Sequence, residues 1–493
     1  MRLFIQKRIA IASHPLSIVF LLAALVFLCK FPALSVPYYW DEMNWSKGAY
    51  WLSETNILRA IPGFHPPETF AGRPPALPVT LAILFKMFGQ SISTAHLLIL
   101  CFAVLGVGAT YLLGRHLYDA ATGFFSALFL FLSPLYLAQS GMFLADLPVA
   151  SLGVLCIYLA LQNKYVSYLV CASFLVFIKE TAVLLIIPLL LYFCVKTPPL
   201  TKEAWIRLLK YSVPLFEIAV FFVWQKFTTG HFSATYDPYA LSQLESRFGY
   251  QALIISKWLF VYQGRYFFSA LIALNFIFNK TARRCEASWL FLLILLFFYA
   301  FVFIYPYFLP RYLLPALPYF YLLGGWALME PLKATAWRIP AAIFVLVFMV
   351  WSSATQPFSG NAEFNLRYLD AVQVDKEIGA ILMKEFPSSR VVTAWPYTVE
   401  LQSPQLGYVN RARSAVSVGA EGGISAADER NLGEADLILV SLSPQMSKMA
   451  VLRDYALSRN WRLIRRLEKG AAVAELYERP VAEAGERQWE ARP

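Results

Sequence analysis

The chain has 493 residues, of which 58% are hydrophobic, 16% aromatic and only 15% charged, against about 25% charged in an ordinary soluble protein. A surface so poor in charge cannot be solvated all round, which excludes a soluble enzyme, a disordered hub and a free nucleic-acid binder. The formal net charge of +11 fits Lys and Arg retained in cytoplasmic loops, so a polytopic membrane protein is expected, with no nucleic-acid partner.

The first segment, MRLFIQKRIAIASHP followed by SIVFLLAALVFLC, has a basic start and an apolar run but no small-x-small cleavage site after it. It is expected to remain as a first helix, with Arg2, Lys7 and Arg8 in the cytoplasm. Residues 30–91 then form a long outer segment. Within it PPALPVTLAILFKMFG (74–89) is apolar, short and proline-led, and is expected to lie along the outer interface rather than to span. Further spans of roughly 17–25 residues, some tilted or extended, are placed near 92–113, 121–139, 147–162, 165–178, 180–195, 211–228, 255–278, 288–305, 311–329 and 338–355. With the first helix this makes about eleven. Basic residues support the alternation, falling in every second loop. They are Arg115, then Lys164, then Lys196, Lys202, Arg207 and Lys210, then Lys280, Arg283 and Arg284, then Lys333 and Arg338.

From Gln356 the composition becomes that of a soluble domain. LRYLDAVQVDKEIGAILMKEF has helical spacing, SSRVVTAW and ADLILVSL read as buried strands, MAVLRDYALSRN as a helix, and RLIRRLEKGAAVAELYER as two strands around Lys469-Gly470. The expected fold is therefore a polytopic α-helical membrane domain, residues 1–355, with a small α/β domain, residues 356–493, outside the membrane. The six cysteines include no CxxC pair, so neither a zinc knuckle nor a disulfide framework is expected.

The informative residues are ionisable groups beside apolar segments on the outer side. Asp41 and Glu42 stand in VPYYWDEMNW, against an aromatic rim where desolvation strengthens carboxylate bases in general. Asp146 opens the span after SGMFLA and reads either as a helix cap or as a second functional acid. Arg73 heads GRPPALP, Lys179 lies between two spans, and Arg311 begins YPYFLPRYLLPALP. Three cations gathering on the membrane face that carries two acidic sites point to an anionic ligand. His65, Glu68, His231 and Asp237 complete the outer polar set and are the candidate ligands if a divalent metal is used, although FHPPE matches no dedicated metal motif.

In this order, these residues resemble the integral-membrane glycosyltransferases of the GT-C fold, near the bacterial lipid A aminoarabinose transferases and the protein O-mannosyltransferases. The likeness rests on Asp41-Glu42 after the first helix, Arg73-Pro74-Pro75 through Phe88-Gly89, Asp146 with Pro148, Lys179 with Thr181, and Arg311 through Pro315. Gly72 stands where the aminoarabinose branch has Glu. The resemblance implies transfer of a sugar from a polyprenyl phosphate carrier to a lipid, glycan or protein acceptor at the outer face of a bacterial inner membrane. It implies Asp41 as general base with inversion, Asp146 to orient the acceptor or assist Asp41, Glu42 as the reserve acid, and Arg73, Lys179 and Arg311 as phosphate ligands. The alternatives are a lipid-phosphate flippase or transporter, which would carry polar residues along its span middles, and a glycan ligase using a pyrophosphate-linked donor.

Overall fold

The computed structural model describes residues 14–64, 72–196, 201–230, 232, 244–280, 284–305, 308–355, 362–419, 424–443 and 449–480. They fall into two compact units: Met1–Leu34 with Asn44–Gln356, and Ser35–Met43 with Pro357–Pro493. The first is a helical array. It begins with α1 (Pro15–Lys30), α2 (Glu42–Glu54, whose first two residues count with the second unit) and α3 (Ala76–Phe88). It continues with α4 (Ile92–Leu117), α5 (Ala120–Leu132), α6 (Pro134–Gln139), α7 (Asp146–Leu161), α8 (Tyr165–Ile178), α9 (Val183–Lys196) and α10 (Lys202–Thr229). After α11 (Leu244–Ser256) come α12 (Arg265–Phe278), α13 (Glu286–Ile304), α14 (Leu317–Met329) and α15 (Arg338–Thr355).

Among the described residues, the segments Pro15–Ser35, Ile92–Leu117, Glu286–Ile304, Pro310–Met329 and Arg338–Thr355 are long and apolar enough to cross a bilayer, and five further apolar helices are shorter. Phe344, Val347 and Trp351 on α15, like Phe20 and Leu28 on α1, are exposed. Apolar side chains turned outward along helices of this length belong in lipid. The protein is a multi-pass, mostly helical membrane protein. α4 is central and packs against α1, α5 and α7. Where α4 meets α5 the backbones touch: a β-carbon on Gly114 would sit 2.7 Å from the Gly123 Cα, and one on Gly123 would sit 2.5 Å from the Tyr111 carbonyl oxygen.

Several expected spans are interrupted, each for a local reason. The segment 121–139 divides at Ser133, which is extended (ψ 131°) ahead of Pro134, as the proline ring demands of its predecessor. The segment 255–278 is not one helix. A π-helical turn (Lys257–Val261) follows α11, and Gln263 and Gly264 take positive φ (60° and 76°) before α12 begins. The span expected at 311–329 opens with a 3₁₀ segment, Pro310–Ala316, containing Pro310 and Pro315. The helix expected from residue 211 starts earlier, at Lys202, where the Thr201 side chain accepts from the Ala204 amide.

The second unit is a five-stranded sheet with flanking helices. Its elements are α16 (Tyr368–Glu385), β1 (Val391–Thr393), α17 (Tyr397–Gln402), β2 (Ala415–Ser417), α18 (Ala426–Gly433), β3 (Leu437–Ser441), α19 (Ala450–Ser458), β4 (Arg462–Lys469) and β5 (Ala472–Glu478). The strand order is β2-β1-β3-β5-β4, with β1 parallel to β2 and β3, and β5 antiparallel to β3 and β4. β3 is buried at every position, which fits its uninterrupted apolar run in the centre of the sheet. β4 and β5 flank Gly470, whose φ of +60° suits a tight turn. The helices and strands expected from residue 356 onward are present. β2, α17 and α18, too short to give a period, are additional.

Candidate active site

Asp146 is the first residue of α7, and its carboxylate does not cap the helix. It turns instead to two cations. Lys179 Nζ donates to Oδ1 at 2.6 Å, and Arg311 Nε stands 3.4 Å from Oδ2. All three side chains are buried. Each partner is delivered by a break in a helix. Lys179 is extended (φ −158°, ψ 135°) where α8 ends, and Arg311 lies in the 3₁₀ segment that packs against α7 and α13. The Tyr312 ring lies under both cations, 4.6 Å from Lys179 Nζ and 5.7 Å from the Arg311 guanidinium carbon. Two cations converge on one carboxylate in a desolvated place, a setting in which an anion can compete for them.

Arg73 stacks on Trp45, 5.4 Å from the ring centre. It belongs to the same electrostatic neighbourhood, because the Tyr305 and Tyr312 hydroxyls feel both Arg73 and Asp146. Tyr305 packs edge-on to Tyr312 at 5.4 Å. Beside Lys179 a cavity of about 260 Å³ is lined by Glu180, Thr181, Val183, Leu184, Ile218, Ala219, Phe222 and Phe301. Its wall is almost wholly apolar, which suits a hydrocarbon chain.

Asp41 and Glu42 are in the second unit. Tyr38 donates its amide to the Leu406 carbonyl (3.1 Å) and its own carbonyl accepts from the Tyr408 hydroxyl (3.0 Å). The Trp40 ring meets Trp395 edge-on at 4.3 Å. Trp40 has φ +53°, a conformation costing a bulky residue about 1–3 kcal/mol and met chiefly where surrounding structure enforces it. This strained turn presents Asp41, which is partly exposed. Glu42 is 1% exposed and accepts from the Tyr39 amide at 2.9 Å, so it closes the turn from inside.

The structure thus brings Asp146, Lys179 and Arg311 together, with Arg73 in electrostatic range, and holds Asp41 and Glu42 on one turn. His65, Glu68, His231 and Asp237 lie outside the described residues. Among the described residues, no group of three or more His, Cys, Asp and Glu side chains is arranged to hold a metal. Sequence reasoning passed over Tyr305 and Tyr312, which look like ordinary interfacial aromatics. It also passed over two buried cations. Lys30 donates to the Leu137 carbonyl (2.9 Å), and Arg265, fully buried, donates to the Trp258 carbonyl and to Gln263 Oε1. A lysine at a helix end is normally an interfacial anchor. Only its burial distinguishes Lys30.

Residues 72–224 match the family model described as dolichyl-phosphate-mannose-protein mannosyltransferase. That stretch contains Arg73, Asp146 and Lys179 but neither Asp41 nor Arg311. The structure is similar to the crystal structure of ArnT from Cupriavidus metallidurans in the apo state, at TM-score 0.59 and 14% identity, over 93% of this chain and 97% of that one. The same protein bound to undecaprenyl phosphate gives TM-score 0.57 and 15% identity, again over 93% and 97%. The chain has the GT-C fold. The Archaeoglobus fulgidus oligosaccharyltransferase in its apo form is also similar, at TM-score 0.53 and 12% identity, over 89% of this chain and 71% of that one. Among curated proteins no sequence matches significantly.

Proposed function

We propose that the protein transfers a sugar from a polyprenyl phosphate carrier to an acceptor hydroxyl at the outer face of a bacterial inner membrane. The observation that carries this reading is the buried Asp146–Lys179–Arg311 cluster beside the apolar cavity: a place for a phosphate next to a place for a lipid chain. Such a pair of features suits a donor that enters sideways from the bilayer. ArnT, whose fold this chain shares, has been crystallised with undecaprenyl phosphate, which supports the same donor class here.

In the proposed reaction the acceptor oxygen attacks the anomeric carbon as the bond from that carbon to the phosphate oxygen breaks. A single displacement inverts the anomeric configuration. The acceptor proton passes to Asp41, whose partly exposed carboxylate suits a general base. The leaving polyprenyl phosphate gains one negative charge, and Arg311, Lys179 and Arg73 are assigned to stabilise it. The planar guanidinium groups grip phosphate oxygens in pairs. Asp146 is assigned the role of a positioning residue, holding Lys179 and Arg311 until phosphate displaces it. Glu42 fixes the turn that presents Asp41. The C-terminal unit, which carries that turn, lies on the periplasmic side in this reading. Arg311→Gln tests the assignment. Polyprenyl phosphate binding in nanodiscs should weaken about 10- to 150-fold, the worth of one charge-assisted contact, and unchanged affinity would refute it.

A further inference from the structure

The hairpin of α7 and α8 carries a second cationic site at the end remote from Asp146. α7 has 16 residues and so spans about 24 Å, and α8 returns beside it to bring Lys179 back to Asp146. At the reversal Asn163 has φ +56°, and the Asn163 and Lys164 amides donate to the Ala160 and Leu159 carbonyls at 3.0 and 2.9 Å. This is the usual left-handed close of a helix, which asparagine tolerates. By its basic loops this end is the cytoplasmic one.

Three cations meet at this turn. Arg207 of α10 donates to the Asn163 side-chain oxygen and lies over the Phe193 ring, 4.5 Å from its centre. Lys210, almost a turn further along α10, holds its ammonium 5.6 Å from the centre of the Tyr165 ring. Lys164 itself is exposed. The rings are fixed: Tyr165 and Phe193 pack against Tyr211 at 5.7 and 5.0 Å, and Tyr168 donates its hydroxyl to the Tyr211 carbonyl. A ring holds a cation without cancelling its charge, as a carboxylate would. Among the described residues none of the three cations is in an ion pair, and Glu203, exposed a turn before Arg207, pairs with none of them. Lys196, by contrast, is neutralised by Glu286. Apolar surface runs out from the site on both helices. On α8 Val166 and Val170 are exposed, and on α10 Trp205, Leu209, Phe216 and Val220 form one exposed stripe at four- and seven-residue spacing. Such stripes take acyl chains.

We propose that Lys164, Arg207 and Lys210 bind the headgroup of a phospholipid carrying two phosphates, of the cardiolipin class, with its acyl chains along α8 and α10. Three cations without carboxylates exceed the charge of one phosphodiester, and the flanking stripes fit a lipid rather than a water-soluble anion. The site is a helix length away from the donor cluster and does not depend on the glycosyl-transfer reading.

The test is native mass spectrometry of the full chain released from detergent with cardiolipin, or with phosphatidylglycerol at twice the concentration to match the charge. Wild-type protein should retain cardiolipin and lose phosphatidylglycerol. The triple variant Lys164→Gln, Arg207→Gln, Lys210→Gln should bind cardiolipin at least about tenfold more weakly and keep polyprenyl phosphate affinity, which shows that it is folded. Should it lose both lipids, the double variant Lys164→Gln, Lys210→Gln, at two exposed positions, decides in its place. Lys164→Arg with Lys210→Arg keeps the charge and should bind like wild type. So should Lys280→Gln, Arg284→Gln, Lys333→Gln, which removes the same charge from other basic loops. Equal weakening by that variant would reduce the site to general surface charge and overturn the proposal. Wild-type cardiolipin binding by the first triple variant, or retention of phosphatidylglycerol equal to that of cardiolipin, overturns it as well. Loss of cardiolipin in Arg311→Gln would assign the lipid to the donor cluster, and displacement by inorganic pyrophosphate at equal concentration would mark a free-anion site; either result also overturns it.

Discussion

Asp146→Asn removes the carboxylate on which the two cations of the donor cluster converge, and its consequences can be worked from the geometry. Wild type holds one buried carboxylate against Lys179 at 2.6 Å and Arg311 at 3.4 Å. Asp146→Asn leaves two buried cations facing each other, and Arg311→Gln leaves a neutral Lys179–Asp146 pair. Stripping a buried ion pair of one partner costs about 3–5 kcal/mol because the remaining charge stays desolvated. Asp146→Asn should pay that cost in full, and Arg311→Gln much less, since its pair is the longer one and the residue left behind keeps a partner. Polyprenyl phosphate should then rescue Asp146→Asn, because the anion replaces the missing carboxylate. Its stabilisation, about 2.7 kcal/mol at a hundredfold excess over Kd for any ligand of the folded state, should exceed that of wild type at equal concentration. Unfolding followed by tryptophan fluorescence in nanodiscs, with and without the lipid, reads both effects. If Asp146→Asn proves no less stable than Arg311→Gln, or if the lipid fails to rescue it, Asp146 is not the counter-ion of the donor cluster.

Burial raises Asp375 to about 7 against a carboxyl that titrates near 3.9 when unfolded. Its contribution to stability is therefore complete below about pH 4 and is lost as pH rises through about 7, since the folded state holds the extra proton across that interval. Hydrogen exchange over Tyr368–Glu385, corrected for intrinsic rates, should show protection falling from pH 5 to pH 8, and Asp375→Asn should flatten the trend. Gly123→Ala places a methyl 2.5 Å from the Tyr111 carbonyl oxygen and 2.6 Å from the Arg115 amide nitrogen. It should cost roughly 1–3 kcal/mol in thermal unfolding, and an unchanged transition would contradict the close α4–α5 crossing. A chain ending after Thr355 loses Leu406 and Tyr408, which hold Tyr38, and Trp395, which packs on Trp40. It should keep polyprenyl phosphate binding and lose sugar transfer, and retained transfer would free Asp41 of any dependence on that unit.

Fold class was legible because composition and loop charge are properties of the whole chain, and the long apolar runs of α4, α13 and α15 announce themselves. Where helices break was less legible. Ser133-Pro134 carried the proline signal, but two residues do not interrupt the apolar run FLFLSPLYLA, and the π-turn Lys257–Val261 precedes Gln263-Gly264 in a stretch that is mostly apolar. The donor cluster was legible residue by residue, as costly charges beside apolar segments. That Asp146 pairs with Lys179, and that Tyr312 underlies both cations, depends on contacts between residues far apart in sequence. The same limit hid the attachment of the Asp41 turn to the C-terminal unit. Tyr38 and Tyr408 are joined by one hydrogen bond across 370 positions, a pairing no local pattern encodes.

The central claim is that Asp41 accepts the acceptor proton while the cationic cluster holds the donor phosphate. It is tested most directly by measuring donor binding and sugar transfer together in Asp41→Asn. That change keeps the shape of the side chain and removes its basicity. Polyprenyl phosphate affinity should match wild type while transfer from a polyprenyl-phosphate-linked sugar falls by roughly 10²–10⁴, the usual worth of general base catalysis. Transfer at the wild-type rate would contradict the account.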